Sequence, residues 1–127
     1  MNTKVLMSVT SLLLGCLGIA ASFAPHEILT YLGVLANPPL AILVQITGAL
    51  YLGFAMLDWM VKESTIGGIY DRPVAMANFI HFAVAALALI KGLIAGQTAA
   101  SVWVAAIIYS ILAVLFGVVL FGSPVKR

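Results

Sequence analysis

Asp58, Asn78 and His81 are polar residues set in otherwise apolar stretches of this 127-residue chain. An ionisable group in an apolar span costs about 2.5–3.5 kcal/mol on insertion scales, so it marks a functional candidate. Imidazole changes charge near neutral pH, which suits His81 to relaying a proton or anchoring a ligand. Each residue also has a plainer account. Lys62 follows Asp58 by four residues, the favourable order for an acid–base pair along a helix. A buried histidine is commonly satisfied by a hydrogen bond to a neighbouring helix.

Gln45, Tyr51 and Lys91 complete the set of polar-node or ligand-binding candidates. Lys91 lies near the end of its apolar stretch, where its stem snorkels to the interface, with a Gln45–Lys91 hydrogen bond as the alternative. Tyr51, like Tyr109, needs a hydroxyl partner and is suited to lining a pocket. No catalytic residue is assigned. Cys16 is the one cysteine, so an internal disulfide and a CxxC pair are excluded. No metal-ligand cluster is present in the sequence, and His26 falls outside the apolar stretches, so two intramembrane histidines of one chain cannot hold haem. No cofactor and no nucleic-acid partner is implied.

The elements that position these residues follow from composition. The chain is 64% hydrophobic and 8% charged, whereas soluble domains carry about 25% charged residues. Lipid is therefore the expected solvent for most of its exterior. A hydrocarbon core of about 30 Å needs roughly 20 apolar residues in a helix. Residues 5–24, 40–61, 74–95 and 99–121 meet that need, giving one all-α transmembrane domain, an integral membrane four-helix bundle. The first stretch also resembles a signal peptide, but Pro25 directly after Ser22-Phe23-Ala24 argues for a retained helix. Residues 25–33 suit a short interfacial helix that begins at Pro25 and stops near Gly33. Gly67-Gly68 marks a turn between the second and third spans, Asp71 or Arg72 is placed to cap the third, and Gly96 to Thr98 makes a tight link to the fourth.

Five of the six basic residues, Lys4, Lys62, Arg72, Lys126 and Arg127, fall on one side of such a bundle. The positive-inside rule then places both termini and the middle loop in the cytoplasm. Trp59 and Trp103 fit the two aromatic belts. Small residues mark the expected helix seams: Gly15, Gly18 and Ser22 in the first span and Ala49 and Gly53 in the second. Ala85, Ala88, Gly92 and Gly96, on a face with His81, mark the third, and Ala106, Ser110, Ala113 and Gly117 the fourth. If Lys62 and Pro73 sit at one depth, Asp58 comes level with Asn78. His81, about 12 Å into the bilayer by helical rise, then joins them in one polar node.

Three segments carry a family resemblance: the glycine-rich first span ending in Phe23-Ala24-Pro25, Gly48-Ala49-Leu50-Tyr51-Leu52-Gly53 with Asp58-Trp59, and Asn78-Phe79-Ile80-His81-Phe82. On these the chain resembles small, uncharacterised four-helix bacterial inner-membrane proteins, loosely of the DoxX-like kind. The resemblance implies an architecture and a bacterial inner-membrane location, with no catalytic residues to carry over. The function expected is binding of a lipid or hydrophobic ligand, or service as an accessory subunit of a membrane complex or homo-oligomer. The alternative is a small proton-coupled transporter or channel using Asp58 or His81. A membrane isomerase using the same two residues is the remote third option.

Overall fold

Local chemistry sets where each helix starts and stops. The computed structural model describes residues 2–64, 71–96 and 99–122, in five helices: α1 (Thr3–Phe23), α2 (Pro25–Tyr31), α3 (Pro38–Val61), α4 (Arg72–Ile94) and α5 (Ala100–Phe121). No strand occurs among the described residues. Gly67-Gly68, Thr98, Lys126 and Arg127 lie outside them.

The Asn2 carboxamide accepts from the backbone N–H groups of Lys4 and Val5 at 3.1 and 3.3 Å. This N-cap starts α1 two residues before the apolar run begins. Asn37 does the same for α3 through Leu40 N–H at 3.0 Å, and Pro38 and Pro39 occupy the first turn, where a missing N–H costs nothing. Asp71 holds the N-cap position of α4, but the capping bond expected of its side chain is not made. Helix α2 ends in a Schellman turn. Gly33 takes φ +75°, its N–H reaches Thr30 O at 3.0 Å, and Val34 N–H reaches Leu29 O at 2.9 Å.

Four of the helices, α1, α3, α4 and α5, have 21 to 24 residues and are long and apolar enough to cross a membrane. The described residues are accordingly all-helical, with four candidate spans that make the chain a membrane protein. It divides into two units, Asn2–Glu63 and the residues from Ser64 onward.

In the first unit α1 and α3 run antiparallel with their backbones in close contact. A Cβ on Gly18 would meet Gly48 O at 3.0 Å, and one on Gly48 would meet Ser22 N at 2.8 Å and Gly18 O at 2.9 Å. Only hydrogen fits at both positions. The Ser11 hydroxyl donates across the same seam to Ala55 O at 2.6 Å and is buried. At the open end Lys4 Nζ pairs with Glu63 at 2.7 Å. The face that α3 buries is Ala41, Gly48, Ala55 and Asp58, at heptad spacing. Ala49 and Gly53, expected at the seam, are exposed instead, and a Cβ on Gly53 would meet nothing within 4 Å.

The second unit packs differently. Helices α4 and α5 run antiparallel and interlock through rings. Phe82 stacks on Phe116 at 5.8 Å and meets Tyr109 edge-on at 5.1 Å, while Phe79 meets Phe121 at 5.5 Å. Such offset and edge-on pairs are the favoured aromatic geometries. The buried face of α4 is Ala75, Asn78, Phe82 and Ala86. The stripe expected on Ala85, Ala88, Gly92 and Gly96 is not that face, since Ala88 is exposed and Gly96 lies beyond the helix end with φ +109°. In α5, Ala106 and Gly117 do meet the expectation of small residues at contacts, Gly117 lying against the Phe79 ring. Bulky Tyr109, Leu112 and Phe116 fill the rest.

Candidate functional site

The close approach of α1 and α3 at Gly18 and Gly48 leaves a trough on each side of the crossing. Toward the Lys4–Glu63 end, the small residues Gly15, Cys16 and Ala55 form the floor of a hollow of about 390 Å³, flanked by Met56 and Trp59. The Lys62 ammonium lies over the Trp59 ring, 2.9 Å from its centroid, a cation–π contact. Toward the other end lies a groove of about 380 Å³. Its floor is Ala21 and Val44, and its walls are Leu17, Leu40, Leu43 and Tyr51. Helix α2 folds beside this groove and contributes Ile28 and Leu32. The Pro25 start and the Gly33 turn set where α2 lies, and its buried Leu29 holds it down.

The dimensions of this groove bear on what it can hold. Ligand pockets usually enclose about 300–1,000 Å³ with mostly apolar walls. From Leu40 to Tyr51 the groove runs about 16 Å along α3 at 1.5 Å per residue. That is about half of a 30 Å hydrocarbon core, the depth of one leaflet. The Thr47 hydroxyl, on the groove wall, is occupied by Leu43 O at 2.9 Å, so it adds little polarity.

The residues singled out from the sequence are distributed over both units. Tyr51 lines the groove just described. Gln45 donates to Ser22 O across the α1–α3 seam over a long 3.5 Å. Asp58 is fully buried on α3, one turn before its end, in the first unit. Asn78 and His81 belong to the second unit. Asn78 is fully buried and its amide donates back to Val74 O at 3.1 Å. The half-buried His81 ring packs on Phe82 at 4.7 Å and on Tyr109 at 5.7 Å. Lys91 is exposed in the last turn of α4, where a cation also suits the helix dipole. No group of three His, Cys, Asp or Glu able to hold a metal occurs among the described residues.

At the open end, the hydrogen bond from Lys4 lowers the Glu63 carboxyl from its ordinary value. Desolvation opposes this, and the charges of Lys4 and Lys62 add to the lowering. Sequence reasoning missed Gly48, the Ser11–Ala55 bond and both troughs. The small-residue heptad Ala41, Gly48, Ala55 was the available signal for the seam; the troughs had none, because they arise only where two helices diverge.

No family model, characterised protein or solved structure matches this chain. Its residues and geometry alone carry the functional reading.

Proposed function

We propose that this chain is a small integral membrane protein that binds a lipid or similar hydrophobic ligand, with one apolar chain lying in the α1–α2–α3 groove. The observation that carries the reading is the length of that groove, one leaflet deep, with apolar walls and a short helix at its mouth. A ligand drawn from the membrane already lies in the same solvent, so burial there depends on close packing rather than on dehydration. Service as an accessory subunit is compatible with the same groove, the ligand then being shared with a partner chain.

Both termini are placed in the cytoplasm on this reading, supported by Lys4, Lys62, Arg72, Lys126 and Arg127. A bacterial inner membrane agrees with the DoxX-like resemblance. Cysteine labelling tests the sidedness: in a Cys16→Ala background, Ala36→Cys is expected to react from outside and Ser64→Cys only after permeabilisation.

Purification in mild detergent, followed by mass spectrometry of bound lipids and chains, tests the ligand reading. The wild type is expected to retain lipid, and Val44→Phe, which fills the groove, to lose it. Met60→Phe, on an exposed stretch of the same helix, is expected to behave as wild type. Equal retention by Val44→Phe and wild type would sink the proposal.

A second reading draws on the complete burial of Asp58. A carboxyl held out of water in a span is a candidate for proton coupling. Proton-driven uptake in proteoliposomes that is unchanged in Asp58→Asn and His81→Ala would exclude it.

A further inference from the structure

We infer that the hollow between α1 and α3 at their Lys4–Glu63 end is a second lipid site, selective for a phospholipid whose head carries net negative charge. It shares no lining residue with the α1–α2–α3 groove and does not depend on that groove being occupied. Its shape suits one acyl chain. Leu12 and Ile19 on α1 and Met56 and Trp59 on α3 wall a floor kept low by small residues. From Lys62 to Leu52, the hollow's innermost residue on α3, the helix rises about 15 Å at 1.5 Å per residue. That is one leaflet of a hydrocarbon core of about 30 Å, so a chain lying in the hollow has its head at Lys62.

A cation is fixed at that level by the hollow's own wall. The Lys62 ammonium lies 2.9 Å from the centroid of the Trp59 ring, and Trp59 lines the hollow. Asp58, four residues earlier, is fully buried, and Lys62 stacks on Trp59 in place of the pair that their spacing suggests. The cation–π contact holds the charge at the rim. An ammonium has three N–H donors, so those turned away from the ring are open to a phosphate. On α1, Ser8 and Lys4 precede Leu12 by one turn and two, which continues the hollow's face to the same end. Lys4 is held by Glu63 at 2.7 Å, and the Ser8 hydroxyl is donated to Lys4 O at 2.8 Å. Lys4 and Lys62 against Glu63 leave a net charge of +1 at the mouth. A net-negative head answers that charge with its phosphate, through a charge-assisted hydrogen bond roughly twice as strong as a neutral one. A choline head brings its own cation to Lys62 beside the phosphate and loses most of that gain.

Trp59 reports on its own neighbour. In a Trp103→Phe background it is the one tryptophan of the chain, and the α1–α2–α3 groove holds none. The protein is reconstituted in liposomes that mix phosphatidylglycerol and phosphatidylcholine of identical acyl chains, with bromine on the chains of one or the other. The two quenching curves give the preference at Trp59 as a ratio, which a change in its quantum yield does not alter. That background is expected to prefer phosphatidylglycerol about fivefold, the gain of one cation near a phosphate. Lys62→Gln is expected to bring the ratio close to one, Lys62→Arg to keep it, and Glu63→Gln to raise it. Cys16→Phe, which fills the hollow from an exposed position and leaves Lys62 in place, is expected to lose the preference as well. Circular dichroism checks that each variant stays helical, and Cys16→Leu replaces Cys16→Phe if the latter does not. No preference in the background protein, or one that survives Lys62→Gln, overturns the inference. So does a preference that survives filling of the hollow, because charge at the membrane surface would then gather the lipid without a site.

Discussion

Replacing Gly48 by alanine puts the α1–α3 crossing to a quantitative test. The new methyl would stand 2.6 Å from Ser22 Oγ, 2.8 Å from Ser22 N and 2.9 Å from Gly18 O. These are short of the 3.4 Å at which ordinary contact begins by roughly 0.5–0.8 Å. Two of the three neighbours are backbone atoms of α1, so no rotamer change relieves them and the helices must separate. Separation stretches the 2.6 Å Ser11–Ala55 bond and breaks the marginal Gln45–Ser22 contact. Overpacking of this kind costs about 1–3 kcal/mol, and alanine's better helix propensity returns at most about 1 kcal/mol. Gly53→Ala has the propensity gain alone, because nothing lies within 4 Å of its Cβ position. The two variants should therefore differ by about 1–3 kcal/mol, or about 5- to 150-fold in the ratio of folded to unfolded protein. Reversible unfolding by SDS in mild-detergent micelles, followed by circular dichroism, measures the difference. If Gly53→Ala is the weaker protein, or the two agree within about 0.5 kcal/mol, the seam runs through Ala49 and Gly53 and the crossing described here is wrong.

Ser11→Ala removes one buried interhelical hydrogen bond while Ala55 O keeps its place in the helix. The same unfolding assay should show a loss of about 0.6 kcal/mol and not above about 1.7 kcal/mol. Phe82→Ala removes a fully buried ring that contacts Tyr109 and Phe116. It is expected to cost about 3–5 kcal/mol, with Phe121→Ala, at an exposed ring, costing clearly less by the same measurement. The Glu63 carboxyl titrates below its ordinary 4.5 in the folded chain, so its ionised form favours folding. That contribution is present above pH 4.5 and disappears as pH falls through the lowered value. The stability gap between wild type and Glu63→Gln should shrink on acidification across that window, and a gap that widens would contradict the Lys4–Glu63 pairing.

Much of the fold was legible because its causes are local. Asn37-Pro38-Pro39 announces a helix start through one cap and two residues without N–H groups. Gly33 announces a stop because a left-handed turn is needed there. The groove was not legible, since it depends on α1 and α3 diverging from a crossing point and on α2 folding beside them. Tyr51 was singled out as a pocket residue for its hydroxyl alone. Asp58 and His81 were conspicuous by type, but their surroundings could not be read from type.

The number and extent of the apolar spans were set by the sequence alone, because an apolar run either matches the thickness of a bilayer or does not. The rotation of each helix about its axis was decided only by the tertiary structure. In a span where nearly every residue is apolar, the face toward lipid and the face toward a neighbour have the same chemistry. Gly48, Ala49 and Gly53 are all small, yet one residue of offset turns a helix by about 100°. Only the fit of Gly48 against Ser22 and Gly18 separates the seam from its neighbours, and that fit exists nowhere but in the packed pair.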